Sequence, residues 1–284
     1  VVLDALNILE NFNLAKYKSN STVTYHLLAE ALRRGHMDRS RHIGDPNFYD
    51  VPVKNINSKK RARELAKTIS FKSASSYKSM SPDDFLDESK DTTHFSIVDE
   101  DGNAVSNTYT LGYSFGSGVT IPGTGILMNN HMNNFAYRYG DKSIRGRTAS
   151  PANRFESDKR PMSTMTPVMI FNKDGELQLI TGSPGGAKIP AAVLRVITGV
   201  IDFDLGIGEA TMLPRIHKDW PYEDFDYETT VSSDVISILR EKLGHRTEAS
   251  DTMGSTQSIH IKDGFNQGYA DLRRPNAGVA IQHD

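Results

Sequence analysis

A polar, serine-rich stretch, "KSASSYKSMSPDDFLDESK" over residues 72–90, divides the chain into two parts with different periodicities. Ahead of it the apolar residues recur at helical spacing. "VVLDALNILENF" (1–12) sets Leu3, Leu6 and Leu9 at i, i+3 intervals with Ala5, Ile8 and Phe12 beside them. Residues 25–34 carry an apolar face with basic residues at the end, and "SKKRARELAKTI" (58–69) is amphipathic with Ser58 in position to cap it. Between them "GDPNFYDVPV" (44–53) reads as turn and extended chain. The serine-rich stretch holds too few apolar residues to offset the entropy of ordering, which predicts an exposed linker.

At Thr92 the pattern switches to period two. Phe95 and Ile97 alternate with polar neighbours, Asp99–Asn103 supplies a turn, and Val105, Asn107, Tyr109 and Leu111 alternate on the return, as a core strand pair would. The same design recurs at 168–179 around Lys173-Asp174-Gly175, and from Ser258 onward around Asp263-Gly264. Helices are predicted between, over 189–203 and over 234–243, the second capped by Ser233 and stopped by Gly244. Hairpins, then helices, then a hairpin predict an α+β layered sandwich rather than alternating βαβ units. The expected division is 1–91, mostly helical and ending in the linker at about 72–91, and 92–284, which carries the sheets.

The formal charge of −2 argues against nucleic acid or an anionic membrane as the main partner. No apolar run approaches the ~20 residues of a membrane helix. With no cysteine, disulfides, thiolate metal sites and cysteine nucleophiles are excluded. The nine histidines show no HExxH-type spacing, so neither a metal site nor a cofactor is expected.

Three stretches carry candidate chemistry. Thr92 and Thr93 stand where a flexible tract meets a strand. A threonine freed at a chain start combines a hydroxyl nucleophile with an amine base, and release here requires cutting Asp91–Thr92. The plain alternative is β-branched propensity. "TGSPGGAKIP" (181–190) joins a strand to a helix. It fails as a phosphate loop because Lys188 is followed by Ile189, and it fits better as an oxyanion hole built from Gly185 and Gly186, or as a simple turn. In "KRPMSTMTP" (159–167), Ser163 and Thr164 are able to donate to a carboxylate with Arg160 nearby, or to bond their own backbone. His94 falls on the same strand face as Thr92, but no Ser or Asp partner is identifiable for it.

"TTHFSIVDEDGNAVSNTYTL", "FGSGVTIPGTGILMNNHM", "KRPMSTMTP", "TGSPGG" and "MGSTQSI", in this order and spacing, resemble the γ-glutamyltranspeptidases; "LNILENFNLAKY" and "DRSRHIGDPNF" extend the resemblance upstream. The resemblance implies an N-terminal-nucleophile hydrolase: a precursor with a four-layer αββα sandwich that cuts itself between Asp91 and Thr92, leaving large and small subunits as a heterodimer. It implies Thr92 as nucleophile, Thr110 as the threonine that orients it, and Gly185 and Gly186 as oxyanion donors. Ser163 and Thr164 would hold the glutamyl α-carboxylate. Glutathione or a related γ-glutamyl amide would be the donor, and water, an amino acid or a peptide the acceptor. Such proteins are periplasmic or secreted.

Gly112, His131 and Asn134 depart from the family's Asn, Gln or Glu, and Asp, which grip the α-ammonium of the glutamyl group. Replacing Asp by Asn removes a charge-assisted hydrogen bond. Thr-dependent amide acyl transfer is therefore expected more firmly than the γ-glutamyl donor. A cephalosporin-acylase-like or polyglutamate-processing relative, and a non-catalytic uncleaved fragment, remain alternatives. Residues 136–158 stand where some bacterial members carry a lid loop, with Arg138, Arg145 and Arg147 placed to meet an acidic substrate. The chain reads as truncated at its N-terminus, with the first part of the large subunit and its carboxylate-binding arginine lying upstream, so the sandwich is expected to be incomplete.

Overall fold

The computed structural model describes residues 1–76, 92–136 and 151–282. Asp91, Arg138, Arg145, Arg147 and most of the linker lie outside the described residues.

The first part is helical as expected: α1 (Val2–Leu9), α2 (Thr22–His42), α3 (Val53–Ile56) and α4 (Lys59–Lys67). Ser58 caps α4 by accepting from the Arg61 N–H at 3.2 Å. Ser21 caps α2, which runs well beyond the predicted 25–34. Sixteen of its 21 residues are buried, among them His26, Glu30, Arg33, Arg34 and His36. The helix stays inside because these groups find partners there. Glu30 accepts from Arg34 at 2.6 Å and from the Ser75 N–H at 3.0 Å, and Arg33 forks onto Glu223 at 2.9 and 3.1 Å.

All three predicted hairpins form. β1 (Thr92–Val98) pairs with β2 (Ala104–Thr110) in a register that sets Thr92 opposite Thr110. β3 (Val168–Phe171) pairs with β4 (Leu177–Thr181) through a turn at Gly175 with φ +85°. β8 (Gln257–Lys262) pairs with β9 (Phe265–Ala270) through Asp263 and Gly264, both at positive φ, the turn that matches strand twist. The last two hairpins join as a four-stranded sheet, β3-β4-β8-β9, and β1-β2 stacks on one of its faces. On the other face lie α5 (Ile189–Ile201) and α6 (Ile207–Met212), with Val193, Val196 and Ile197 packed against Leu179, Val168 and Ile170. The opposite side of α5 places Ala191 and Leu194 in the core formed with α1 and α2. This is an α+β fold of helices, sheet and second sheet. Among the described residues no helix covers the outer face of β1-β2.

The structure adds three features to those expected. The chain contains a third sheet: β5 (Ile216–His217), β6 (Asp224–Glu228) and β7 (Arg246–Ser250). β6 and β7 run parallel across α7 (Ser233–Glu241), which is a βαβ unit. β5 is only two residues long and β7 has no apolar alternation, so the alternation of Phe225 and Tyr227 in β6 had no partner to mark a sheet. α7 also begins at Ser233 itself, with Ser232 in the cap position. More consequential is the orientation of β1-β2. Phe95, Ile97, Val105 and Tyr109 point outward and are 44–60% exposed, whereas Thr92 and His94 are buried at 6% and 5%. The hydroxyl and imidazole side of the hairpin packs on the sheet.

The end of β9 is held by buried ions. Arg215 and Asp271, both fully buried, pair at 2.6 Å, and Arg273 forks onto Glu228 at 2.8 and 2.7 Å. Asp271 also accepts from the Thr256 N–H at 2.9 Å. Removing one member leaves an uncompensated buried charge. Asp271→Ala is expected to lower unfolding free energy by ~3–5 kcal/mol, measured as a shifted urea midpoint; an unchanged midpoint would show that the network is not structural.

Candidate active site

Thr92 opens β1 and Thr110 closes β2, so the antiparallel register alone brings their side chains together. The Thr92 hydroxyl donates to Thr110 Oγ1 at 3.1 Å, and the same oxygen accepts from the Gly112 N–H at 3.0 Å. One hydroxyl thus ties the start of the strand to the loop leaving the hairpin. Arg274, just beyond the buried Asp271, donates to the Thr92 carbonyl at 3.0 Å.

His94 lies one pleat further along. Ser96 Oγ donates to the Gln257 carbonyl at 2.9 Å, so it accepts from His94 Nε2 at 3.2 Å. His94 Nδ1 then accepts from Thr108 Oγ1 at 2.8 Å, which fixes the neutral tautomer. The partners that could not be identified from sequence are thus Ser96 and Thr108. The ring rests on Gly182, where any Cβ would collide with it. Burial pushes its pKa down to about 4. These bonds give His94 a structural place beneath the hairpin.

Thr92 and Thr110 face a small cleft open to solvent. Gly112, His131 and Asn134 line one side, and Met162, Ser163, Thr164 and Met165 another. Gly186 and Ile189, at the start of α5, and Arg39 of α2 complete it. Of the residues singled out in the sequence, Thr92, Thr110, Gly186, Ser163, Thr164, His131 and Asn134 are brought together. Gly185 is adjacent to Gly186 without lining the cleft, and Asp91 lies outside the described residues. Arg39 lies in the "DRSRHIGDPNF" stretch but was not singled out there, and Arg274 lies in no quoted motif. Arg160 is turned away from the cleft and forks onto buried Asp45 at 2.9 and 2.7 Å, holding that carboxyl well below the usual range.

The walls are positioned by their motifs. Gly185 (φ +130°) adopts backbone open essentially to glycine and packs against the Cα of Gly254, and Gly186 (φ +56°) lies in the left-handed region that glycine favours. Ser183 donates to the Pro184 carbonyl at 2.6 Å and accepts from the Ser255 N–H at 3.0 Å, so "TGSPGG" and "MGSTQ" interlock. Buried Asn153 donates to the Asn134 carbonyl at 2.6 Å and accepts from the Met162 N–H at 3.0 Å, spacing the two side walls. Ser163 lines the cleft and accepts from the Met165 N–H at 3.1 Å, the local backbone bond of a serine-threonine turn. Gly112 sits at φ +96°, and the side-chain oxygen of Asn130 fills the space a Cβ would take. A larger residue there would require a different loop.

Among the described residues, His26, Glu30 and His245 form one buried cluster with metal-ligand chemistry. Its donors are engaged locally: His26 Nδ1 meets His245 Nε2 at 2.8 Å, His26 Nε2 meets the Ser70 carbonyl at 2.8 Å, and Glu30 serves Arg34 and Ser75. Among the described residues no helix is long and apolar enough to cross a membrane.

The buried imidazoles make stability pH-dependent. His94 at about 4, and His217 and His245 at about 3, bind protons less readily folded than unfolded. Their stabilisation is complete above the ordinary value of about 6.5 and is lost as pH falls toward 3–4. The melting temperature is expected to drop over that window, less steeply in His94→Gln; a melting temperature flat from pH 7 to 4 would contradict this.

The family model for γ-glutamyltranspeptidase matches residues 1–281. The glutathione hydrolase proenzyme of Escherichia coli K12 is 39% identical over 274 residues, 96% of this chain and 47% of that protein. A γ-glutamyltranspeptidase structure from Pseudomonas nitroreducens aligns at TM-score 0.61 and 36% identity, covering 67% of this chain and all of that one. A cephalosporin acylase structure from Bacillus halodurans aligns at TM-score 0.82 and 27% identity over 100% of this chain and 49% of that one. The chain spans about half the length of the curated relatives it matches. With the family model matched across nearly its whole length, the chain belongs to the γ-glutamyltranspeptidase family.

Proposed function

We propose that this chain is the part of a self-cleaving proenzyme that carries its nucleophile, and that the enzyme transfers γ-glutamyl groups from glutathione or related amides through Thr92. The observation that carries this reading is the Thr92–Thr110 hydroxyl pair, part-buried and facing a cleft also lined by Gly186, Ser163 and Thr164. The division at Thr92 is supported by the solved transpeptidase chain. Its full length matches two thirds of this chain, the fraction that residues 92–284 make up.

In maturation, Thr92 Oγ attacks the Asp91 carbonyl carbon and the peptide C–N bond breaks. The resulting ester is hydrolysed, leaving an Asp91 carboxylate and a free Thr92 amine. In turnover, that amine takes the proton from Oγ as the oxygen attacks the donor amide. Gly185 and Gly186 N–H groups at the start of a helix stabilise the oxyanion, a contribution of ~10²–10³ in rate per donor. The leaving amine carries the proton away, and water, an amino acid or a peptide amine then attacks the acyl ester. Thr110 orients the nucleophile, while Ser163 and Thr164 hold the donor's carboxylate. The large and small portions remain together as a heterodimer, and the protein works outside the cytoplasm.

A second donor class is favoured by one feature: among the described residues lining the cleft there is no carboxylate to hold an α-ammonium. Asn134 and His131 stand there, which suits acyl groups lacking that amine, such as glutaryl amides, and the acylase likeness agrees.

Mass spectrometry of the protein expressed from its full-length gene is expected to show a fragment beginning at Thr92. Thr92→Ala should remain one chain with activity reduced by at least ~10³-fold. An uncut yet active wild type would refute the reading, and an uncut, inactive wild type would mark a non-catalytic binding protein. Comparing γ-glutamyl and glutaryl anilides separates the donors: a strong γ-glutamyl preference would show that His131 or another group grips the ammonium.

A further inference from the structure

We propose that Arg274 tunes the nucleophile: its guanidinium, bound to the Thr92 carbonyl, keeps the α-amine of cleaved Thr92 unprotonated at neutral pH and so available as base. The inference rests on the reading of Thr92 as an N-terminal nucleophile.

The geometry is specific. Arg274 Nη1 donates to Thr92 O at 3.0 Å. By bond lengths alone the Thr92 nitrogen lies within about 4 Å of that oxygen. A fixed cation is therefore held close to the atom that becomes the amine. Arg274 is not free to drift, because the preceding residues are anchored: Asp271 by Arg215 and Thr256, and Arg273 by Glu228 and the Thr211 and Leu213 carbonyls.

Among the described residues, the charged and titratable groups facing this point from other elements do not oppose the effect. Arg39 of α2 and His131 line the same cleft, and no described lining residue is a carboxylate. His94, on the same strand, is neutral near pH 7 because its pKa lies at about 4. Glu228 and Asp271 are bound by Arg273 and Arg215 and leave no net negative charge toward the amine. A like charge disfavours the protonated amine. An α-amine ordinarily titrates near 7.7–8.0 and would be largely protonated at neutrality. The cation thus raises the fraction of free base where a general base needs it.

The test is the pH profile of kcat/KM for the processed enzyme made from the full-length gene. Arg274→Gln is expected to move the acid limb upward by roughly 0.5–1 pH unit, since removing the cation lets the amine bind its proton more readily. Arg274→Lys, which keeps the charge, should leave the limb near its wild-type position. A role confined to tethering the chain end would lower activity without moving the limb, and superimposable limbs in Arg274→Gln and wild type would overturn the proposal. Should Arg274→Gln fail to mature, competitive acetylation of the wild-type Thr92 amine decides. A titration midpoint below the ordinary α-amine range supports the proposal, and one within or above that range overturns it. A wild type that never cleaves at Thr92 would instead refute the underlying enzymatic reading.

Discussion

The hydroxyl face of the β1-β2 hairpin, pressed onto the main sheet, is the interaction on which the rest of the site depends. Sheets usually stack through apolar side chains. Here the contact is made by Ser96 donating to the Gln257 carbonyl, Ser106 to the Thr181 carbonyl at 3.2 Å, and His94 seated on Gly182. Each is directional, and each buried polar group left unpaired would cost about 1–3 kcal/mol. Such a face specifies a single position for the hairpin. A slip of one residue would turn every one of these groups to the opposite side, and Thr92 would leave the cleft with them.

That placement is locked from three directions. The interlock of Ser183 and Gly185 with Gly254 and Ser255 holds the glycine turn beside Thr92. Asn153 sets the distance between the wall bearing Asn134 and the wall bearing Ser163. The buried ions around Asp271 fix the chain end from which Arg274 reaches the Thr92 carbonyl. The Ser183–Ser255 and Arg274–Thr92 contacts join segments 72 and 182 residues apart in sequence. The cleft is therefore a property of the assembled fold rather than of any one loop.

The first part of the chain contributes more to the site than its helical pattern suggests. α2 supplies Arg39 to the cleft, and Asp45, just beyond it, anchors Arg160 ahead of Ser163. The Asp45–Arg160 fork crosses the position where the chain is proposed to be cut, so it would hold the two pieces together after cleavage. α2 itself is a helix whose charges are satisfied internally, with Arg34 on Glu30 and Arg33 on Glu223. A polar helix read in isolation looks like a surface element, and the partners that allow it to be buried lie far away in sequence.

What the sequence determined by itself was local in origin. The hairpins follow from period-two alternation closed by Gly102, Gly175 and Asp263-Gly264, and the cap of α4 from Ser58. The family motifs pointed to Thr92, Thr110, Gly186, Ser163 and Thr164, and folding gathers these at one cleft. Only the tertiary structure decided which face of β1-β2 is buried. Alternation reports that two faces differ, and the usual preference places the apolar one inside. Here Phe95, Ile97, Val105 and Tyr109 face outward because a hydroxyl, a buried imidazole and a bare glycine fit together on the other side. The parallel pairing within the third sheet and the reach of Arg39 and Arg274 were equally invisible in the sequence. Each depends on contacts between distant segments, which no local pattern encodes.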